Sequence, residues 1–229
     1  MKMVVAVDEA LPERIEDAVR DEQARERAWL VEQRRDRGID GMKAGQRRAA
    51  IAQLYADRAA RREAQEVLAT RSALVSAHLS RLLEAAGWGS RAYPPVPGGQ
   101  DTMPGRRWGT SGYGHHRGGP GRLTIVLPQP LGERVRRVSY WVSQRATVNL
   151  QRYADESAGG FPPLDLLREM GDLAVDLYLL PLEQLAAAVR RRTRAEPGPI
   201  VSTGDLVRAA AYRATRYTPA PDQRAASPT

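Results

Sequence analysis

Four polar side chains close together in the sequence have the chemistry for binding bases and phosphates. They lie within residues 63–88, and they are Arg71, Ser72, Ser76 and Arg81. A guanidinium donates paired hydrogen bonds to guanine or phosphate, and a serine hydroxyl both donates and accepts. We therefore expect these side chains to contact DNA if the elements that carry them face solvent.

Catalytic and metal-binding chemistry has few candidates. The chain has no cysteine and three histidines, His78, His115 and His116, so a nucleophile–base pair or a Cys/His ligand set is hard to assemble. Neighbouring side chains such as His115 and His116 point apart. The sequence also lacks the glycine loops, zinc-protease helix and nucleophile elbow of common enzyme families. We expect no enzyme, no metal and no cofactor.

Two short helices joined by a turn are the elements that would position the four side chains. Ala64, Val67 and Leu68 follow a helical period, and Ser72 is a candidate N-cap for the next helix. That helix has branched apolar residues on one side and small or hydroxyl residues on the other: Val75, Leu79 and Leu82 against Ser72, Ala73, Ser76, Ala77 and Ser80. This division predicts a helix-turn-helix whose second helix enters the major groove. The alternative is an amphipathic hairpin packed inside an all-α domain.

The same stretch resembles the helix-turn-helix core of winged-helix repressors of the arsenic-repressor and multiple-antibiotic-resistance type. The resemblance rests on Val75-Ser76-Ala77-His78-Leu79 and on the closing Glu84-Ala85-Ala86-Gly87. It implies a DNA-binding fold in which the second helix reads bases. The sequence departs from the pattern at Ala69, where such turns usually have glycine, and at Thr70-Arg71.

The charge of the chain favours an anionic partner. Its 229 residues carry a net charge of +8, and the sequence pI is about 10.3. Residues 1–40 contain eleven acidic and eight basic residues, a net charge of −3, so the remainder carries +11. Only Lys2 and Lys43 are lysines, and the arginine excess suits phosphate and guanine, although a GC-rich genome alone would also produce it. The predicted partner is double-stranded DNA.

Composition divides the chain into five regions: 1–40, 41–88, 89–121, 122–218 and 219–229. The first predicts a charged helix from about Pro12 to Arg37, which is either a dimerisation arm or a solvated helix on its own domain. The second adds a supporting helix, Gly45–Ala60, to the helix-turn-helix pair. The third contains ten of the twenty glycines and predicts a linker or wing in which Arg106 and Arg107 grip phosphates. The last predicts a disordered tail.

The fourth region begins with the clearest strand of the chain, Arg122–Leu127, in which Leu123, Ile125 and Leu127 alternate with Arg122, Thr124 and Val126. A helix from Gly132 to about Gln144 follows, and Thr147 is a candidate cap for another. The order of strand, Leu-Pro and a Leu-x-Glu-Arg-Val helix resembles the opening of ribbon-helix-helix repressors over residues 122–153.

A second, weaker resemblance to ribbon-helix-helix repressors covers residues 177–216. There Leu177-Tyr178-Leu179-Leu180-Pro181 precedes two helical segments, and Ser202 with Asp205 predicts a capping box. A ribbon at this place would pack rather than read DNA, because its residues are apolar. The alternative is a set of helices broken at Gly171 and Pro181.

We therefore expect a mainly α-helical fold: a helix-turn-helix unit, with or without a wing, plus a second helical or small α+β region. The predicted function is sequence-specific DNA binding, as a transcriptional regulator or as an accessory factor in plasmid or phage DNA handling. The alternative is a non-enzymatic structural or interaction protein of a mobile element or phage assembly. No run is long and apolar enough for a membrane span or secretory signal, so we expect a soluble, cytoplasmic protein. The most hydrophobic stretch, Leu164–Ala195, is a core or an oligomer interface, and we expect a homo-oligomer.

Overall fold

Two short strands from distant parts of the chain pair into an antiparallel ribbon. The computed structural model describes residues 1–97, 120–157, 163–196 and 198–215. Within them β1 (Lys2–Val7) pairs with β2 (Gly121–Val126), and Val4 lies opposite Thr124 near the centre of the register. The ribbon therefore joins the first residues described to a segment that lies beyond the middle of the chain.

The rest of the described residues is mostly helical. A 3-10 turn at Ile39–Gly41 lies between the first two helices. The helices are α1 (Leu11–Asp36), α2 (Ala44–Glu63), α3 (Arg71–Ala85), α4 (Gln129–Glu156), α5 (Leu164–Leu179), α6 (Leu182–Arg194) and α7 (Thr203–Ala214). None of the helices in these residues combines the length and the apolar character that a membrane crossing needs. The mainly α-helical class with a small strand component is confirmed.

The centre of the core is formed by α3 and α7, which pack against each other and against the ribbon. Val75 and Leu79 of α3 and Leu206 and Val207 of α7 are completely buried. Both helices also bury small residues, for example Ala77, which let helix axes approach closely. One apolar cluster thus contains residues from both ends of the described chain.

The helices that follow the two strands repeat a common sequence. After β1 the chain reads Leu11-x-Glu13-Arg14-Ile15, and after β2 it reads Leu131-x-Glu133-Arg134-Val135, with each counterpart 120 positions later. The core helices repeat in the same way at a spacing of 132 positions: Leu74-Val75-x-Ala77 in α3 matches Leu206-Val207-x-Ala209 in α7. The fold therefore contains two strand–helix–helix repeats, β1–α1–α3 and β2–α4–α7.

The strand register has the symmetry that this repeat implies. Val4 and Thr124 are counterparts at the 120-residue spacing, and they lie opposite each other. Lys2 lies opposite Val126, and its counterpart Arg122 lies opposite Ala6. A local two-fold axis therefore passes between Val4 and Thr124. Each core helix also contacts the strand of the other repeat, α3 with β2 and α7 with β1.

An arm projects from the first repeat, formed by the outer half of α1 and by α2. The carboxylate of Glu26, which is 3% exposed, accepts hydrogen bonds from Arg58 at 2.7 Å and from Arg62 at 2.5 Å. These two guanidinium groups lower the pKa of Glu26 to about 2, against the opposing effect of burial. Arg61 also lies over the ring of Trp29, 4.3 Å from its centroid. The arm is thus held mainly by arginine contacts, because in α2 only Leu54 is buried.

Three predicted elements are found close to their expected positions. The helix from about Pro12 to Arg37 is α1, the supporting helix at Gly45–Ala60 is α2, and the strand at Arg122–Leu127 is β2. The helix predicted at 132–144 is longer, because α4 continues to Glu156 and Thr147 lies inside it. The prediction that Thr147 caps a separate helix is therefore wrong.

The first helix of the predicted helix-turn-helix is absent. Residues 64–70 form a turn, in which Gln65 adopts a left-handed conformation with φ of 58° and Val67 and Leu68 are buried as loop residues. The apolar pattern there is explained by burial of the turn and not by a helical period. A helix-turn-helix unit of the predicted form is not confirmed.

The later ribbon-helix-helix resemblance also fails at its strand. Residues 177–179 belong to α5, and the alternative of helices separated at Pro181 is confirmed, although Gly171 lies inside α5. The capping box is confirmed: Ser202 Oγ accepts from the Asp205 amide at 3.0 Å, and Asp205 accepts from the Ser202 amide at 2.9 Å. This box opens α7, whose strand partner is β1 and not residues 175–179.

The buried carboxylate in the arm leads to a test by stability. Glu26→Gln should lower the free energy of unfolding at pH 7 by about 1–3 kcal/mol, because it leaves two arginines without their charge partner. The folded-state pKa of Glu26 lies below the ordinary value of 4.5. Its stabilisation is therefore complete above about pH 4.5 and is lost as the pH falls towards 2, so the difference between the variant and wild type should shrink over that window.

Urea unfolding at pH 7 and pH 3 would measure this difference. Asp17→Asn is the matched control, because the Asp17–Arg20 pair is more than half exposed on both sides. An equal effect of both substitutions would show that Glu26 is not the ionic centre of the arm.

Candidate functional site

The outward face of the ribbon presents six side chains on the side away from the core. They are Lys2, Val4 and Ala6 on β1 and Arg122, Thr124 and Val126 on β2. Their inward neighbours Val5, Leu123 and Ile125 are at most 5% exposed, and Met3 is partly buried. The strict alternation follows from the period of two in a strand. Val4 and Val126 remain 54% and 55% exposed, so this face lies open in the described structure.

The side chains on this face stand close together across the ribbon. Met1 and Leu127 exchange both backbone hydrogen bonds, at 2.7 and 2.9 Å. In an antiparallel pair such bonded pairs alternate with non-bonded ones, whose side chains lie nearer to each other. The pairs Lys2–Val126, Val4–Thr124 and Ala6–Arg122 are therefore of the non-bonded, close type. The face is a narrow double row with one cation at each end.

The two open edges of the ribbon are held by the two core helices. Ser72 Oγ on α3 accepts a hydrogen bond from the Val126 amide at 2.9 Å. Arg208 on α7 donates from Nε to the Ala6 carbonyl at 2.8 Å. Ala6 and Val126 are equivalent positions in the two repeats. Ala6 in the first repeat is bound by α7 of the second, and Val126 in the second repeat is bound by α3 of the first. Both contacts hold the ribbon edge where an unpaired strand would otherwise expose polar backbone.

Arg208 is a buried cation with its charge balanced locally. It is 4% exposed, and its NH1 donates to the Asp205 carboxylate at 2.9 Å and to the Tyr178 hydroxyl at 3.3 Å. Asp205 in turn belongs to the capping box that starts α7. The first turn of α7, the β1 edge and α5 are thus joined by one network of hydrogen bonds.

The first turn of α3 lies at the other edge of the ribbon. Thr70 caps this helix, since its side chain accepts from the Ala73 amide at 3.1 Å. The next residue, Arg71, is exposed and forms an ion pair with Glu16 of α1. The start of α3 therefore lies beside the Val126 edge of the ribbon, which Ser72 contacts through its side chain.

The structure separates the residues that were predicted to contact DNA. Arg71 and Ser72 lie at the ribbon edge, whereas Arg81 is exposed at the far end of α3. Arg106 and Arg107 lie outside the described residues. Burial lowers the pKa of His78 on α3, and the charges of Arg81 and Arg213 lower it further.

Ser76 does not face outwards, and this prediction is wrong. It is 3% exposed, and its Oγ is buried without a hydrogen-bond partner in the described residues. The reason is that α3 is covered on its small-residue side as well as on its branched apolar side, by α7 and its neighbours. A helix buried in this way cannot lie in a DNA groove with Ser76 against the bases.

The outward face itself was missed by the sequence analysis. The alternation in residues 122–127 predicts a strand, but residues 3–7 are all apolar and show no such alternation. The signal that could have revealed it is the repeat of Leu-x-Glu-Arg-Ile/Val after both segments. The same helix start after both segments indicates that the segments are equivalent elements of a repeat, and their pairing is seen only in the structure.

The orphan hydroxyl of Ser76 provides a stability test. Ser76→Ala should leave the free energy of unfolding unchanged or raise it by about 1 kcal/mol, because it removes a buried polar group that has no partner. Thermal or urea unfolding measures this effect, and DNA binding should not change. Ser72→Ala is the matched serine control and should lower the free energy of unfolding slightly, since it removes the exposed hydrogen bond to the Val126 amide. Loss of DNA affinity in the Ser76 variant alone would restore α3 as the reading element.

Comparisons of the chain with protein-family models, with curated proteins and with solved structures find no match.

Proposed function

We propose that this protein binds double-stranded DNA by placing the outward face of its ribbon in the major groove. The observation that carries the proposal is the open double row of six side chains with Lys2 and Arg122 at opposite ends. The core helices α3 and α7 bind the edges of the ribbon and leave this face exposed. Sequence-specific binding in transcriptional regulation, or in plasmid or phage DNA handling, is the role that goes with it, in the cytoplasm.

The dimensions of the ribbon suit the groove. Six residues span about 20 Å, and the two strands lie about 5 Å apart. The major groove of B-DNA is about 12 Å wide and admits a two-stranded ribbon with its side chains. Residues on one face of a strand lie about 7 Å apart, which is roughly two base-pair steps, so three outward residues per strand cover a few base pairs.

The outward side chains match the chemistry of base edges. An arginine such as Arg122 donates two hydrogen bonds to guanine O6 and N7, and Lys2 donates to the same acceptors or to phosphate. Thr124 combines a hydroxyl with a methyl group. Val4 and Val126 are apolar and fit the methyl group of thymine. The polar side chains of this face would discriminate between bases. Its apolar side chains would be buried against the DNA without the loss of a hydrogen bond to water.

The start of α3 beside the ribbon would hold the DNA backbone. Helix N-termini attract phosphates through their free amides and their dipole. The N-terminus of α3 also has Arg71, so this edge adds a cation that is about half exposed, as is its partner Glu16. The net charge of +8 supplies a long-range attraction to the duplex.

The proposed arrangement resembles the ribbon-helix-helix repressors, to which residues 122–153 are similar. It differs in that both strands and both core helices come from one chain. Binding through this ribbon therefore needs no second copy, and homo-oligomer formation remains a separate proposal. The winged-helix resemblance contributes less, because the helix that would read bases is buried.

The competing proposal is an interaction protein of a mobile element or phage assembly. The exposed apolar pair Val4 and Val126 favours it, because exposed apolar groups on a strand pair suit a protein surface as well as a thymine methyl. The two cations on the same face favour DNA. A DNA-binding measurement with variants of these cations separates the two proposals.

Lys2→Ala combined with Arg122→Ala should weaken binding to duplex DNA by about tenfold or more, because each direct cation contact contributes about 1–3 kcal/mol. Fluorescence anisotropy over a range of salt concentrations measures this, and the slope of log affinity against log salt should flatten. The matched control is Arg27→Ala with Arg190→Ala, which removes the same charge from exposed positions on α1 and α6.

Two results would contradict the proposal. One is the absence of wild-type binding at roughly 50 mM salt, where electrostatic binding is strong. The other is an equal loss of affinity in both double variants, which would indicate a diffuse charge effect without a ribbon contact. Either result would favour the interaction protein.

A further inference from the structure

The two halves of the outward face occupy equivalent places but differ in chemistry. The local two-fold axis relates Lys2 to Arg122, Val4 to Thr124 and Ala6 to Val126. A point charge thus corresponds to a planar guanidinium, and a purely apolar side chain corresponds to one with a hydroxyl. The backbone is two-fold symmetric at the ribbon, and the side chains are not.

This difference is possible because both strands belong to one polypeptide. In a two-fold homodimer each residue appears identically in both halves, and the DNA site mirrors that symmetry as a palindrome. Here each strand has its own sequence, so no symmetry forces the two half-sites to be alike. We infer that this chain recognises a non-palindromic duplex, in which the half next to Arg122 contains a required guanine and the half next to Lys2 is tolerant. The inference rests on the proposed function.

The Arg122 end of the ribbon has the stronger base-reading chemistry. Arginine fixes two hydrogen bonds in a plane and so selects guanine, whereas lysine provides a flexible point charge that also suits phosphate. Thr124 adds a hydroxyl to the same strand, where Val4 adds none. The β2 strand therefore has two groups that form hydrogen bonds with bases, and β1 has one.

The hydrogen bonds that hold the two ends of the ribbon also differ, and the Arg122 end has more of them. At the Arg122 end, the opposite residue Ala6 is bound by the buried guanidinium of Arg208, whose own position is fixed by Asp205. The counterpart of Arg208 in α3 is Ser76, which has no hydrogen-bond partner in the described residues. At the Lys2 end, the opposite residue Val126 is bound by one serine hydroxyl. The more specific end is thus also the one held by the larger network, as precise base recognition requires.

The exposed cation beside α3 completes the division between the two ends. Arg71 lies one residue before Ser72, on the helix that binds the Val126 edge. Its counterpart at the start of α7 is Thr203, which is 2% exposed and uncharged. At these equivalent positions the Lys2 end therefore has two cations, Lys2 and Arg71, and the Arg122 end has one.

Selection of duplexes from a random library by the wild-type protein is the first part of the test. The recovered sites should have unlike halves, with an enriched guanine on one side. Replacing that guanine should lower affinity about tenfold to a hundredfold, as expected for a bidentate arginine contact. The same replacement in the other half should have a much smaller effect.

A symmetrised variant is the second part. Lys2→Arg, Val4→Thr and Ala6→Val together give β1 the outward face of β2, at positions outside the buried core. This variant should select palindromic sites that contain the guanine half twice. The reverse variant, Arg122→Lys, Thr124→Val and Val126→Ala, should lose the guanine preference while it still binds DNA. Thermal unfolding of both variants confirms that they are folded, and Arg190→Lys serves as the matched control.

The possible failures are distinguishable. Palindromic sites selected by the wild type, or unlike half-sites still selected by the folded symmetrised variant, would overturn the inference and leave DNA binding intact. Binding without any base preference would also overturn it. If the wild type binds no duplex, the proposed function itself fails.

Discussion

Antiparallel pairing of residues 2–7 with residues 121–126 is the interaction on which the rest of the structure depends. It brings two repeats of the chain together and places their inward residues, such as Val5 and Leu123, against α3 and α7. A slip of β1 by one residue would expose Val5 and Val7 and turn Lys2 towards the core, so the core determines the register. The same constraint that fills the core therefore determines which side chains face outwards.

Close packing of α3 against α7 explains why the surface available for recognition is a ribbon and not a helix. The small side chains of Ala77, Ala209 and Ala210 are almost completely buried, and they let the two helices approach. Serine and alanine on one side of a helix are compatible either with a DNA groove or with a close helix partner. In this fold they serve the second purpose, and α3 contributes its N-terminus and Ser72 to the ribbon edge.

Duplication inside one chain allows the two halves to differ where a homodimer could not. Ser76 and Arg208 occupy the same place in their helices, yet one is a buried hydroxyl without a partner and the other anchors a strand through the Ala6 carbonyl. The segments inserted between the repeated elements differ as well. The first repeat has the α2 arm with its Glu26 ion pairs, and the second has α5 and α6, with Arg192 of α6 paired to Asp176 of α5. Each half thus has the same strand–helix–helix elements, and the segments inserted between them are stabilised by different contacts.

The sequence by itself determined the elements whose signals are local. Helical periods and end signals located α1 and α2, alternation located β2, and Ser202 with Asp205 located the start of α7, because each signal lies within a few neighbouring residues. Only the tertiary structure decided that Lys2–Val7 is a strand, since its partner is more than a hundred residues away. It also decided that Ser76 is buried. A serine on a helix is compatible both with solvent and with a neighbouring helix, so its position in the sequence does not distinguish the two. The outward face of the ribbon arises from this long-range pairing, which no local spacing encodes.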